Sequence, residues 1–163
     1  MANFYATSSK IGVNLNAVTT DAQFSLGDAV DGSDGTKWVY VQASGAIEAF
    51  DAVTIDENFQ CYCSEIANAM DGQKLGFAQI AFADNEYGWV AVSGLGNLLV
   101  SVSSHSTINA VLYLGTVSGH LSTTASSATV AGVAIQTASS TSAVSTPEVI
   151  ATYPRIGPST SGL

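Results

Sequence analysis

The sequence predicts an all-β fold: a small β-barrel or two-lobed β-sandwich built from two pseudo-repeats, with an extended N-terminal arm. Three observations carry this expectation. Apolar residues alternate with a period of two along most of the chain, turns rich in Gly, Asn, Asp and Ser separate the alternating runs, and one pattern occurs twice.

Residues 1–36 come first and differ from the rest of the chain. Phe4, Tyr5, Ile11, Val13, Leu15, Phe24 and Leu26 stand isolated among polar residues, and the segment ends in the Asp- and Gly-rich "DGSDG". This reads as an arm that gains order by lying on something: its own domain, a sister subunit or another protein. Those seven residues are the candidate partner interface, spaced for an extended strand laid along a neighbour's edge. A chain starting near Gln23 is expected to fold without the arm. The β-domain spans 37–156, and 157–163 is a small, polar tail.

Within the domain, "KWVYVQA" (37–43), "DAVTI" (51–55), "KLGFAQIAFA" (74–83), "YGWVAVS" (87–93), "NLLVSV" (97–102), "NAVLYLG" (109–115), "VAGVAIQT" (130–137) and "PEVIATY" (147–153) read as strands rich in Val, Ile and aromatics. Both alternating sets of "WVYV" are apolar, so that strand is expected to be buried on both faces, as in a barrel wall or an oligomer seam. Only "SEIANAMDG" (64–72) offers a helical turn. "GLG" (94–96) is expected to be a hairpin turn, since a dinucleotide fingerprint needs a third glycine where Leu99 stands, and a following helix. The repeat has a period of about fifty residues, matching Trp38-Val39-x-Val41 to Trp89-Val90-x-Val92, "DAVTI" to "NAVLYL" and "GFAQIA" to "GVAIQT". On that reading Trp38 and Trp89 anchor equivalent halves.

Composition narrows function. The chain has 163 residues, room for one domain with a full core. Charged residues are 10% of it, against roughly 25% in ordinary soluble domains. A surface of small neutral side chains packs against protein without desolvating long charged ones. Net charge is −9, with only Lys10, Lys37, Lys74 and Arg155 basic, so neither nucleic acid nor an anionic membrane is an expected partner. The first residues lack the layout of a signal peptide, and no apolar run reaches membrane-spanning length.

The residues capable of chemistry form no recognisable motif. Cys61 and Cys63 make a lone C-x-C without a second ligand pair, so no metal is expected and the thiols read as buried. His105 and His120 sit in Ser/Thr-rich turns and read as solvated. Asp28, Asp31 and Asp34 lack the alternating acids and closing Glu of a calcium loop, and Asp84 and Glu86 read as turn caps. No catalytic residue, metal or cofactor is expected.

"DGTKWVYVQAS", "DAVTIDENFQ", "GFAQIAFADNEYGWVAVSG", "GVAIQT" and "VIATYPRI" together resemble the capsid decoration, or cement, proteins of tailed-phage heads, over residues 24–156. The specific parts are "WVYVQAS" and "FADNEYGWV". The resemblance implies a virion structural protein, made in the host cytoplasm, that binds the major capsid protein on the outer surface of the expanded head. It implies no catalytic residues. A homo-oligomer, a trimer in preference to a dimer, is the expected assembly. The alternative is a phage fibre or adhesin module whose Ser/Thr face binds host surface glycans.

Overall fold

The computed structural model describes residues 12–103, 105–126, 128–140 and 143–157. Ten strands account for the regular structure: β1 (Ala29–Asp31), β2 (Lys37–Ala43), β3 (Ala52–Ile55), β4 (Gln60–Cys63), β5 (Lys74–Ala78), β6 (Tyr87–Leu99), β7 (Leu112–Leu114), β8 (Leu121–Ser122), β9 (Thr129–Ile135) and β10 (Glu148–Ile156). A single turn of 3-10 helix, Ile66–Asn68, lies within the stretch expected to be helical. Among the described residues no helix is long and apolar enough to cross a membrane.

All ten strands join one mixed sheet, in the order β1-β2-β4-β3-β5-β6-β10-β9-β7-β8. The sheet closes on itself. β2 pairs with β4, β4 with β3, β3 with β5, β5 with β6, and β6 returns to β2; β10 pairs with both β5 and β6, so six strands take part. The second lobe repeats the scheme. The run β8-β7-β9-β10 has the same antiparallel connections as β4-β3-β5-β6, and the parallel β2–β4 contact returns as a parallel bridge between Val102 and Leu121.

The internal repeat is therefore present in the hydrogen bonding, but at a different offset. Ser44 N–H donates to Cys61 O as Ser103 N–H does to Leu121 O, Ile47 and Phe82 exchange bonds as Ser106 and Ser139 do, and Phe50 N–H donates to Ala78 O as Asn109 N–H does to Ile135 O. Ser44, Ile47 and Phe50 precede their counterparts by 59 positions, and Phe50 and Asn109 share a left-handed backbone (φ 74° and 58°). β3 and β7 are equivalent, as are β5 and β9. The tryptophans are not: β2 and β6 are antiparallel neighbours, Trp89 faces Tyr40, and Trp38 faces Ala91. Their similarity reflects two strands that share one wall.

β6 also corrects the expected turn at 94–96. Gly94, Leu95 and Gly96 lie inside one 13-residue strand whose first half pairs with β2 and whose second half pairs with β10. The partner strand shifts register between Val149 and Ile150, opposite this stretch, and Gly96 (φ 91°) takes up the irregularity. The glycines let one strand serve two lobes.

Two cores result. Val41, Ala43, Ile47, Val53, Ile55, Cys61, Ala78, Phe82, Val90 and Val92 fill the first lobe. The other set of alternating residues, Trp38, Tyr40, Trp89 and Ala91, joins a larger cluster with Leu98, Val100, Leu112, Leu114, Leu121, Ile135 and Val149 of the second lobe. "WVYV" thus has buried residues on both faces, as the sequence predicts.

Candidate functional site

The segment expected to be an arm is built into this body wherever it is described. β1 pairs with β2, Gly27 N–H donates to Tyr40 O, and Thr19 and Tyr87 exchange backbone bonds of 2.9 and 2.8 Å. Val13, Leu15 and Phe24 pack on the larger core, with the Phe24 ring 5.3 Å from Tyr40 and 5.2 Å from Trp89. The Tyr40 hydroxyl accepts from Gln23 N–H at 3.0 Å. Of the candidate interface residues, Val13, Leu15 and Phe24 cover their own domain, Leu26 is 37% exposed, and Phe4, Tyr5 and Ile11 lie outside the described residues. Isolated apolar residues cannot say from sequence alone which surface they lie on.

The acidic turns are structural. Asp34 accepts from Thr36 hydroxyl (2.6 Å), from Thr36 N–H (3.1 Å) and from Asn97 (2.7 Å), and these bonds, the Thr36 hydroxyl foremost, hold its carboxyl below the usual range. Thr36 in turn accepts from the Trp38 indole at 2.6 Å, so the turn fixes the ring. Asp31 pairs with Lys37. Asp84 caps Gly45 N–H and Glu86 caps Ala83 N–H, at 2.8 and 2.7 Å.

One cluster brings together titratable side chains that the sequence keeps apart. At the junction of the lobes Asp51 is buried, its Oδ2 accepts from the Cys63 thiol at 3.4 Å and from Glu48 N–H at 3.1 Å, and its Oδ1 lies 3.9 Å from His120 Nε2. His120 is mostly enclosed, not solvated as the turn context suggests, whereas His105 is exposed. Gly119 permits the approach: with φ 78° it lies so close to Asp51 that a Cβ there would meet the carboxylate carbon at 2.4 Å. No spacing rule could have found this group, because His120 comes from the other lobe.

The group sits where the two lobes meet. A nucleophilic cysteine needs a thiolate stabilised by a neighbouring cation. Here burial first, and then the Asp51 carboxylate, push the Cys63 thiol up to about 12, and burial does the same to Cys61. The thiol donates to the carboxylate and keeps its proton. Backbone bonds complete the junction, Ala52 N–H to Gly119 O at 2.7 Å and Gly119 N–H to Ser64 O at 3.0 Å. Among the described residues no group of three or more His, Cys, Asp or Glu side chains is arranged to hold a metal ion.

Exposed apolar side chains are scattered over the surface. Leu95, Ile108, Val111, Val117 and Val144, all in the second lobe or the strand leading to it, are each about half or more exposed. A cleft of about 370 Å³ opens at one end of the first lobe, between β2, β3, β5, β6 and β10. No family model matches the chain, and no curated protein matches it.

Proposed function

We propose that this chain is a structural virion protein of the capsid-decoration type, which binds the lattice of the major capsid protein on the outside of the head. One observation carries the reading. The two stretches most specific to the resemblance, "WVYVQAS" and "FADNEYGWV", form a single structural unit: β2 lies against the start of β6, Tyr40 opposite Trp89 and Gln42 opposite Tyr87, and Ala43 N–H donates to Glu86 O at 2.8 Å. Similarity spread over generic alternating strands would have no such focus.

The surface supports the same reading. Small neutral side chains and exposed apolar residues suit repeated packing on protein, with few long charged chains to desolvate. A protein that binds only the expanded lattice stabilises it by linkage, and an oligomer, here proposed as a trimer, multiplies weak contacts. The test is to add the purified chain to emptied, expanded capsids and image them. Saturable density at fixed lattice positions, with greater resistance of the shell to heat, is the expected result. Capsids that stay bare at high protein concentration would overturn the proposal.

A further inference from the structure

We propose that the open end of the first lobe is a docking cleft for an acidic, apolar segment of a partner polypeptide. Its apolar lining comes from Val39, Ile55, Phe59, Leu75, Val92 and Tyr153, and its cations are Lys74 and Arg155. A volume of about 370 Å³ falls within the range of ligand pockets and suits a few side chains.

Charge placement points to the ligand's sign. The chain has four basic residues and a net charge of −9, yet Lys74 and Arg155 are direct partners across the antiparallel β5–β10 pair. Like charges in that position oppose pairing. Neither residue has an ion pair among the described residues, although Lys37 of β2 is matched to Asp31. An acidic side chain entering the cleft would place a negative charge beside both cations and take charge-assisted bonds from them.

Backbone geometry converges on the same place. Asparagines aside, three residues other than glycine have positive φ among the described residues: Phe50, Phe59 and Tyr153. Two of them, Phe59 (59°) and Tyr153 (45°), line this cleft. Tyr153 stands in the irregular stretch where β10 shifts against β9, between Ala151 and Arg155, and it is 61% exposed. A left-handed Tyr153 beside two cations that have no ion pair among the described residues marks a surface shaped for something other than stability. The choice of a polypeptide over a free carboxylic acid rests on the lattice-binding reading above.

The experiment is an NMR titration of the ¹⁵N-labelled full chain with three probes: acetyl-Leu-Asp-Phe-amide, acetyl-Leu-Asn-Phe-amide and decanoate. The aspartyl peptide is expected to shift the amides of Lys74, Leu75, Tyr153 and Arg155 saturably, with the asparaginyl peptide about tenfold weaker, the loss expected on removing a charge-assisted bond. Lys74→Glu turns the cross-strand pair attractive. It should raise Tm by about 2–4 °C while abolishing the peptide shifts. Equal binding of both peptides, tighter binding of decanoate, no shifts at these amides, or a Lys74→Glu variant that keeps binding or lowers Tm would each overturn the proposal. Decoration of emptied capsids by the unaltered chain is scored separately, so the cleft can fail while the lattice reading stands.

Discussion

Trp89 shows how much one side chain carries. It is fully enclosed, its ring centroid 5.0 Å from Tyr40 and 5.2 Å from Phe24, and it belongs to the cluster that spans both lobes. Trp89→Ala should cost about 3–5 kcal/mol in denaturant melts, as truncation of a buried aromatic does; a cost below about 1 kcal/mol would contradict its burial. The cysteines give a second prediction for single side chains. Both thiols are pushed up from 9.0 to about 12, chiefly by burial. Above pH 9 the unfolded thiols lose their protons while the folded ones keep them. The unfolded state then binds fewer protons, so the cysteine contribution is complete below pH 9 and is lost as pH rises toward 12. Urea melts across that window should show a steeper fall for the native chain than for a Cys61→Ala/Cys63→Ala variant. Parallel slopes would refute the assignment. At neutral pH the native thiols should also resist iodoacetamide until urea is added, since alkylation requires the thiolate.

The N-terminal segment decides a prediction among elements. Removal of residues 1–22 leaves Phe24 and β1 in place but strips Val13 and Leu15 from the larger core and Val18 from the first-lobe core, and breaks both Thr19–Tyr87 bonds. Partial burial of three aliphatic side chains and two backbone bonds together contribute roughly 2–4 kcal/mol. A chain starting at Gln23 should therefore stay β-rich yet unfold at measurably lower denaturant, where the sequence alone suggests nearly unchanged unfolding; an unaltered midpoint would mean the segment only rests on the surface. The same contrast governs how legible the elements were. β2 is readable to the residue, because "KWVYVQA" has strong β formers in both alternating sets. β4 (QCYC), β8 (LS) and β1 (AVD) escape, since such short pieces have too few alternations to register and are strands only because neighbours pair with them. The junction of Asp51, Cys63 and His120 was illegible for the same reason: topology alone brings it together. The break at 94–96 misleads in the other direction, because glycine spaces two lobes along one strand as readily as it turns a chain.

For the molecule as a whole, the question is whether two similar lobes behave as two domains. Their wall is common property: β6 pairs with β2 in the first lobe and β10 in the second, and one apolar cluster runs from Trp38 and Trp89 to Leu114 and Ile135. The Asp51 junction adds backbone bonds between Ala52, Ser64 and Gly119. Opening either lobe alone would expose the shared cluster and leave half of β6 unpaired, so the two should unfold as one unit. Native-state hydrogen exchange tests this directly. The amides of Ser64 and Ala78, bonded to Ala52 O and Asp51 O, report the first lobe, and those of Leu114 and Leu121, bonded to Ala128 O and Ser101 O, report the second. Their opening free energies should agree within about 1 kcal/mol and match the global value from urea melts. Tryptophan fluorescence, which reports only the shared wall because Trp38 and Trp89 are the chain's two tryptophans, should give the same midpoint. Second-lobe amides that exchange at much lower free energy would make that lobe a separate, weaker unit. For a protein proposed to stabilise an expanded shell, that would matter: load applied to one lobe is resisted by the whole core only if the shared strand cannot yield first.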